Sequence, residues 1–176
     1  MKAEQFLQKA YRSIYENDFE QAQYWFEQAL AVQPDHADMH YRYSITCARS
    51  GRLDKALMHA RLASALEPEQ DEYKIHYDRM QSKELTNMAK KLLEDDGAFT
   101  GHTETASRLL RRAAELDPLS VEAQVWLAIA YGELEQYELA LQAIREASAL
   151  PLDQSMALQL QELEQRFKLN IDHSSC

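Results

Sequence analysis

The chain has 176 residues, 45% of them hydrophobic, and a formal net charge of −10 at pH 7. This length can bury one continuous core, and the acidic charge repels a phosphate backbone, so we expect one domain that does not bind nucleic acid. No run approaches the roughly 18 apolar residues of a membrane span. The N-terminus lacks the apolar core of a signal peptide, which predicts a cytoplasmic protein.

A regular spacing of alanine and proline organises most of the chain. An alanine stands 12 residues before each of three prolines: Ala22 and Pro34, Ala56 and Pro68, Ala106 and Pro118. A fourth copy has Ala140, Ile144 and Ala147, and meets Pro151 one residue early. The first two of these prolines are 34 residues apart, a period that is typical of stacked helix pairs. Each alanine lets two helices approach closely, and each proline is expected to open the next helix.

The first two copies follow this spacing at further positions. The first copy has Phe6 and Ala10 in its opening helix, then Phe19, Ala22, Phe26 and Ala29 in its second helix. In the second copy the corresponding residues are Tyr43, Ser44 and Cys47, then Gly51 at the end of the first helix, then Leu53, Ala56 and Ala63. Few glycines and prolines, with many Ala, Leu, Glu and Gln residues, favour helix nearly everywhere.

The third copy breaks the period, because Pro68 and Pro118 are 50 residues apart. Apolar residues with helical spacing and no Pro or Gly predict one helix over about 69–95, about 40 Å long at 1.5 Å per residue. The following loop, 96–103, contains two glycines, and Thr103 is the predicted cap of the next helix. Four roles stay open for the expansion: to cap the stack, to meet another subunit, to clamp a ligand, or none.

The fourth copy has the clearest signature of a known family. Leu127, Ala128 and Tyr131 fill a Leu-Gly-x-x-Tyr pattern with Ala for Gly, followed by Tyr137, Ala140 and Ile144. On these residues and the matching positions of the other copies, the chain resembles the tetratricopeptide repeat family from about residue 3 to 152. The resemblance implies an all-α fold, a right-handed superhelical stack of antiparallel helix pairs, here with an elongated third-repeat helix and a C-terminal capping helix.

The segment after Pro151 predicts that terminal helix, 153–168. Its apolar residues form one stripe: Met156, Leu160, Leu163 and Phe167. Such a helix covers the open end of a repeat stack. The predicted organisation is one domain, 1–168, with repeats at about 3–36, 37–68, 69–118 and 119–152, the capping helix, and a flexible tail at 169–176.

Few residues suggest chemistry. His36 and His40 lie four apart, as in a zinc protease helix, but Ala37 stands where the catalytic glutamate would be. We therefore predict a structural His40 and no metal site. With no nucleophile or paired-carboxylate motif, we predict no catalytic residue, no cofactor and no enzyme activity. Cys47 is expected to be buried and Cys176 exposed, without a disulfide framework.

Charge is distributed unevenly. Residues 119–176 carry 3 Lys plus Arg against 9 Asp plus Glu, net −6, which favours a basic partner or no partner. Arg108, Arg111 and Arg112 form a basic cluster interleaved with acidic residues. We interpret the cluster as a solvated helix face, and a docking patch for an acidic partner is the alternative.

The resemblance also implies a concave groove lined by the first helix of each pair. The predicted peptide-binding residues are those not needed for packing: Leu7, Tyr11, Tyr15, Tyr41, Ile45, Arg49, Val125 and Ile129, with Glu133. Most are apolar or aromatic, and contiguous apolar surface usually marks a binding site. The Lys and Asn with which the family holds a C-terminal carboxylate are replaced by Leu7 and Tyr11. We therefore predict that another protein supplies an apolar or amphipathic segment, as a client or an adaptor partner.

Two alternatives to this binding mode stay open. In the first, the C-terminal segment of the chain fills the groove itself. In the second, the chain forms a homo-oligomer through the long helix near Met80 and Met88. An enzyme or a nucleic-acid binder is a third class, without a supporting motif.

Overall fold

The computed structural model describes residues 2–94 and 100–174, which form α-helices and no strands. The helices are α1 (Ala3–Tyr15), α2 (Phe19–Val32), α3 (Ala37–Arg49), α4 (Leu53–Leu66), α5 (Asp71–Glu94), α6 (Thr100–Leu116), α7 (Val121–Glu133), α8 (Tyr137–Ser148) and α9 (Gln154–Ser174). The prediction of an all-α fold is confirmed. Two predictions, the loop at 96–99 and the exposure of Cys176, lie outside the described residues.

The chain divides into two compact units, Met1–Met80 and Gln81–Cys176. The first unit contains the pairs α1/α2 and α3/α4 and the beginning of α5. The second contains the rest of α5, then α6, the pair α7/α8, and α9. Each unit has a hydrophobic core of its own, and the expectation of one domain over 1–168 stays a prediction.

The prolines end helices instead of opening them, which corrects the sequence prediction. Pro34 lies two residues after the end of α2, and Pro68 lies two residues after the end of α4. A residue that precedes proline is pushed out of the α region, because the proline ring would clash with its backbone. Gln33 and Glu67 accordingly have φ near −130° (−135° and −131°) with ψ of 79° and 77°. The following helices begin three residues after the prolines.

Alanines form the closest helix contacts of the first unit. Side chains with no solvent exposure include Ala10, Ala22, Ala29, Ala56, Ala60 and Ala63. Between the helices that these residues join, Phe26 stacks on Tyr43 with ring centroids 5.6 Å apart. The Tyr43 hydroxyl donates to Glu27 at 2.6 Å, so its polar end is satisfied while the ring is buried. Cys47 is buried beside them as predicted, and burial raises the pKa of its thiol to about 11.

Two buried histidines join α3 to α4. His40 Nε2 lies 2.8 Å from the carbonyl oxygen of Pro34, and His40 Nδ1 lies 2.8 Å from His59 Nδ1. A carbonyl oxygen only accepts, so neutral His40 donates from Nε2 and must accept at Nδ1. His59 is therefore the donor of the second bond. Burial, with the neighbouring His40, lowers the pKa of His59 to about 4.

We expect the first unit to lose stability on acidification between about pH 6.5 and pH 4. In this window the unfolded chain, with its ordinary histidine pKa of 6.5, binds a proton that folded His59 does not bind. His59→Gln, whose amide can still donate to His40, should reduce the dependence on pH, and part of the slope should remain because burial also lowers the pKa of His76. The check is the urea midpoint from pH 7.5 to 4.5, read by Trp25 fluorescence in a Trp126→Phe background. An equally steep acid loss in His59→Gln would count against this origin.

The core of the second unit joins α5 and α6 to the pair α7/α8 and to α9. Its residues without solvent exposure include Ala89, Ala106, Leu110, Ala128, Ala130, Ala140 and Ala147. α9 packs on this core through Leu160 and Phe167, each 2% exposed. The helix continues to Ser174, beyond the predicted end at residue 168, and the flexibility of the tail from residue 169 stays a prediction. No Pro or Gly follows Lys168 to end the helix.

Phe167 is held in a notch that glycine creates in α7. A β-carbon added at Gly132 would lie 2.5 Å from two carbons of the Phe167 ring. The ring also packs beside Tyr137, with centroids 6.0 Å apart. The absence of a side chain at Gly132 therefore sets how closely α9 approaches α7.

We expect Gly132→Ala to destabilise the second unit by about 1–3 kcal/mol, the usual cost of overpacking a core. Gly101→Ala is the matched control, because Gly101 is also helical and nothing lies within 4 Å of an added β-carbon there. That change should stabilise by up to about 1 kcal/mol. Thermal unfolding followed by circular dichroism gives both values. Effects of the same sign and size in the two variants, or no effect of Gly132→Ala, would contradict the notch.

The beginning of α6 differs from its prediction. Thr100–Thr103 are helical, so Thr103 lies within α6 and does not cap it. A single glycine in a helix costs only about 1 kcal/mol relative to alanine, which the packing of the helix can offset. The Thr105 hydroxyl also donates to the Gly101 carbonyl at 2.8 Å within this turn. α5 has 24 residues, compared with 14 in α2 and in α4.

Within 2–94 and 100–174, none of the helices combines the length and the apolar character that crossing a membrane requires.

Candidate functional site

The predicted groove residues fall into two sets, one in each unit. Leu7, Tyr11 and Tyr15 lie on α1, Tyr41, Ile45 and Arg49 on α3, and Val125, Ile129 and Glu133 on α7. Because the chain forms two units, each set is described by itself. The two sets differ in how much of their surface is available.

Tyr41 is already engaged by α5, which limits its use as an anchor for a partner. Its hydroxyl donates to Glu72 at 2.7 Å, and its ring lies 4.9 Å from Tyr73 and 5.2 Å from His76. Burial, together with the Glu72 carboxylate, raises the pKa of Tyr41 to about 12. These α5 partners were not predicted, because the repeat period is broken in the third copy and the register of α5 could not be read from the sequence.

Tyr11 and Arg42 form a more open contact between α1 and α3. Tyr11 is 40% exposed, and the Arg42 guanidinium lies 5.6 Å from the centre of its ring. Arg42 also donates to Asp38 at 2.7 Å, one turn earlier on α3. Tyr15 is 89% exposed, whereas Leu7 packs against the core of the unit. The first-unit surface therefore offers partly exposed aromatic side chains beside charged groups.

We expect Tyr41→Ala to lower the free energy of unfolding by about 1–3 kcal/mol, because it removes a hydrogen bond and two ring contacts. Tyr15→Ala should change it by less than about 0.5 kcal/mol, as exposed positions do. Urea unfolding of the two variants beside the unmodified protein gives the comparison. Equal losses of unfolding free energy in the two variants would show that neither the exposure nor the contacts of these tyrosines determine how much each stabilises the fold.

The second unit contains an apolar cleft between α7 and α9, with a volume of about 680 Å³. Val125 and Ile129, both predicted, line it on α7 together with Trp126, which the prediction missed. The α9 wall consists of Met156, Gln159, Glu162, Leu163 and Arg166. Thus the C-terminal helix α9 forms one side of the cleft. It lines the predicted groove without filling it.

The two walls are held by different residues from those that face the cleft. On α9, Leu160 and Phe167 are buried in the core, whereas Met156 and Leu163 are half-buried and line the cleft. Residues at positions i, i+3 and i+4 share a helix face, so these four residues form one apolar stripe on α9, with Leu160 and Phe167 on its buried side and Met156 and Leu163 on the side toward the cleft. A partner can therefore meet apolar side chains without displacing the anchors.

Charged pairs border the cleft. Lys90 on α5 donates to Glu122 at 2.9 Å, and its ammonium lies 5.3 Å from the centre of the Trp126 ring. Arg166 lies 3.7 Å from Glu133. This arrangement, an apolar floor with a polar rim, is the usual anatomy of a protein-binding surface.

His36 and His40 have separate structural contacts. His36 accepts from the backbone N–H of Met39 and caps α3, whereas His40 is buried against His59. Among the residues that the structure describes, no group of three or more His, Cys, Asp or Glu side chains could hold a metal ion.

The arginine cluster on α6 is mostly exposed. Arg112 pairs with Glu115 at 3.0 Å, and Arg108 and Arg111 line shallow pockets together with Glu104. Acidic and basic side chains are mixed around these arginines. Both interpretations therefore stay open: a solvated helix face, and a docking patch for an acidic partner.

The family assignment rests on two separate matches. Models of the tetratricopeptide repeat match residues 13–78 and residues 99–153, which together cover more than half of the chain. The chain therefore belongs to the tetratricopeptide repeat family, whose members are protein-interaction scaffolds. No curated protein matches the chain in sequence.

Solved structures share the fold at low sequence identity. YrrB, a TPR protein with an unusual peptide-binding site, is 18% identical with a TM-score of 0.55, over 91% of this chain and 74% of YrrB. MamA from Desulfovibrio magneticus RS-1 is 17% identical with a TM-score of 0.58, over 98% and 91% of the two chains. A tetratricopeptide repeat protein from Parabacteroides merdae is 19% identical with a TM-score of 0.54, over 98% and 62%.

Proposed function

We propose that this repeat protein is a non-catalytic scaffold that binds an apolar or amphipathic segment of a partner protein in the cleft between α7 and α9. The observation that carries the proposal is the half-buried apolar lining, centred on Trp126, Met156 and Leu163, around a volume of about 680 Å³. Tryptophan and methionine are enriched where proteins bind one another, since they give large contact areas. An adaptor role and a chaperone-like role both use such a site.

The size of the cleft favours insertion of side chains over engulfment of a whole segment. Its volume lies within the range of roughly 300–1,000 Å³ that is typical of ligand pockets. An amphipathic helix that lays one apolar face across the opening would place several side chains inside. YrrB, whose fold is similar at 18% identity, has a peptide-binding site, which supports this kind of use for the fold.

The first-unit surface is a weaker candidate for the same partner. Tyr41 and Ile45 are half-buried, and the polar end of Tyr41 is occupied by Glu72. Tyr11, Tyr15 and Arg49 remain exposed.

Self-association through α5 is the second candidate function. Met88 is 49% exposed, but Met80 packs against the core of the first unit. Met80 is therefore not freely available at the surface as this alternative requires, and the α7–α9 cleft is preferred. A cytoplasmic location likewise stays a prediction of the sequence.

Site-specific photocrosslinking tests the proposal in the native cell. A photoreactive residue at Met156, inside the cleft, should capture a protein that the same residue at Leu158 does not capture. Leu158 is the matched control, because it is on α9, is 55% exposed and does not line the cleft. The purified partner should then bind the unmodified chain, and Trp126→Ala should weaken that binding at least about tenfold.

The outcomes separate the candidates. Capture of the same protein from both positions, or binding that Trp126→Ala leaves unchanged, would exclude the cleft as the site. Capture of a second copy of this chain would favour self-association instead.

A further inference from the structure

A cation of the chain itself, the side chain of Lys90, lies at the rim of the cleft. Its ammonium donates to the Glu122 carboxylate at 2.9 Å and lies 5.3 Å from the centre of the Trp126 ring. A carboxylate beside an indole face is a favourable site for an ammonium or a guanidinium group. Because Lys90 reaches this place from α5 and remains partly exposed, with 29% of its side chain accessible, it can be exchanged for a cation of similar chemistry.

A second acidic group lines the same cleft, one helical turn before Arg166 on α9. Glu162 on α9 forms no ion pair within the described residues, and it lies in the lining together with Met156 and Leu163. At the far end, Glu133 is held by Arg166 only at 3.7 Å. The apolar floor therefore has carboxylates on both of its walls.

The charge of the surrounding sequence acts in the same direction. Residues 119–176, which include both walls, have 3 Lys plus Arg against 9 Asp plus Glu. A cleft in such a region attracts cationic segments and repels anionic ones before contact. Screening by salt weakens this attraction, since the Debye length falls from about 10 Å at 0.1 M to about 3 Å at 1 M.

The length of the walls sets the size of the segment. On α7 the lining runs from Glu122 to Ile129, about 10 Å at 1.5 Å per residue, and on α9 from Met156 to Arg166, about 15 Å. Apolar side chains at i, i+4 and i+7 of a helix span about 10 Å. The cleft is therefore long enough for about three anchors from two to three helical turns.

We propose that the partner segment is a basic amphipathic helix, with its apolar stripe in the α7–α9 cleft and its Lys or Arg side chains on Glu122, Trp126 and Glu162. In the complex, one cation of the partner replaces Lys90 at Glu122 and Trp126, and another pairs with Glu162. This inference rests on the proposed function, and it adds the charge of the partner, which the apolar lining alone does not specify.

Three synthetic helical peptides of 18 residues test the inference. All share one Leu stripe at i, i+4, i+7 and i+11, and their polar faces carry Lys, Gln or Glu. Binding is followed in Trp25→Phe protein, in which Trp126 is the one remaining tryptophan and reports directly on the cleft. We expect the Lys-faced peptide to bind at least about tenfold more tightly than the Gln-faced peptide, and the Glu-faced peptide to bind most weakly. Raising the salt from 0.05 M to 0.5 M should remove most of the difference.

Two variants test the residues named. Lys90→Ala should tighten binding of the Lys-faced peptide about threefold, because Glu122 and Trp126 become free. The affinity for the Gln-faced peptide should not change. Glu162→Gln should weaken the Lys-faced peptide about threefold. Glu138→Gln on α8 is the control, since it removes the same charge at an exposed residue outside the cleft lining, and its effect should be smaller.

The results distinguish the two proposals. Equal affinity for the Lys-faced and Gln-faced peptides, or tighter binding of the Glu-faced peptide, overturns the basic partner and leaves the apolar cleft intact. No change in Trp126 fluorescence with any of the peptides overturns the proposed function as well. An unchanged or weakened Lys-faced complex in Lys90→Ala overturns the exchange of cations.

Discussion

The close approach of helices at buried alanines is the constraint on which the rest of the structure depends. In both units, alanines at repeated positions have no solvent exposure, and they bring the backbones of paired helices close together. A larger side chain at any of these positions would separate the pair and open the core, where lost contacts are costly. The remaining faces of each helix are thereby released from packing within the pair, and one of them on α7 lines the cleft.

At Gly132 the same constraint becomes stricter, because even a methyl group is too large. Phe167 fills the space that an alanine side chain would take, and this contact fixes α9 beside α7. The cleft depends on that placement. Leu160 and Phe167 anchor α9 in the core, and this anchoring is what brings Met156 and Leu163 to the cleft. Gly132 on α7 therefore determines the position of the α9 wall of the cleft.

Most of the helices could be predicted because their sequence patterns are local. The α9 wall of the cleft could not be predicted in this way. The spacing of Ala22, Ala56 and Ala140 defines pairs within one repeat, but no local pattern states that α9 lies across from α7. One indication was present: residues 125–131 are apolar all round the helix, which indicates that α7 contacts more elements than its partner α8. Tyr41 was placed on the correct helix, but its partners on α5 could not be seen because the repeat period is broken there.

The two units use their aromatic residues in different ways, and this difference favours the second unit as the binding element. In the first unit, Tyr41 is tied to Tyr73, His76 and Glu72 at short distances, so its aromatic area stabilises the fold. In the second unit, Trp126 lines the cleft, and the ammonium of Lys90 lies 5.3 Å from the centre of its ring. The Lys90 side chain can leave this position at little cost in free energy. It is flexible, and it is held there by one exposed ion pair with Glu122 and one cation–π contact with Trp126. The aromatic surface of the cleft is thus protected in the free protein and still available to a partner that brings its own cation.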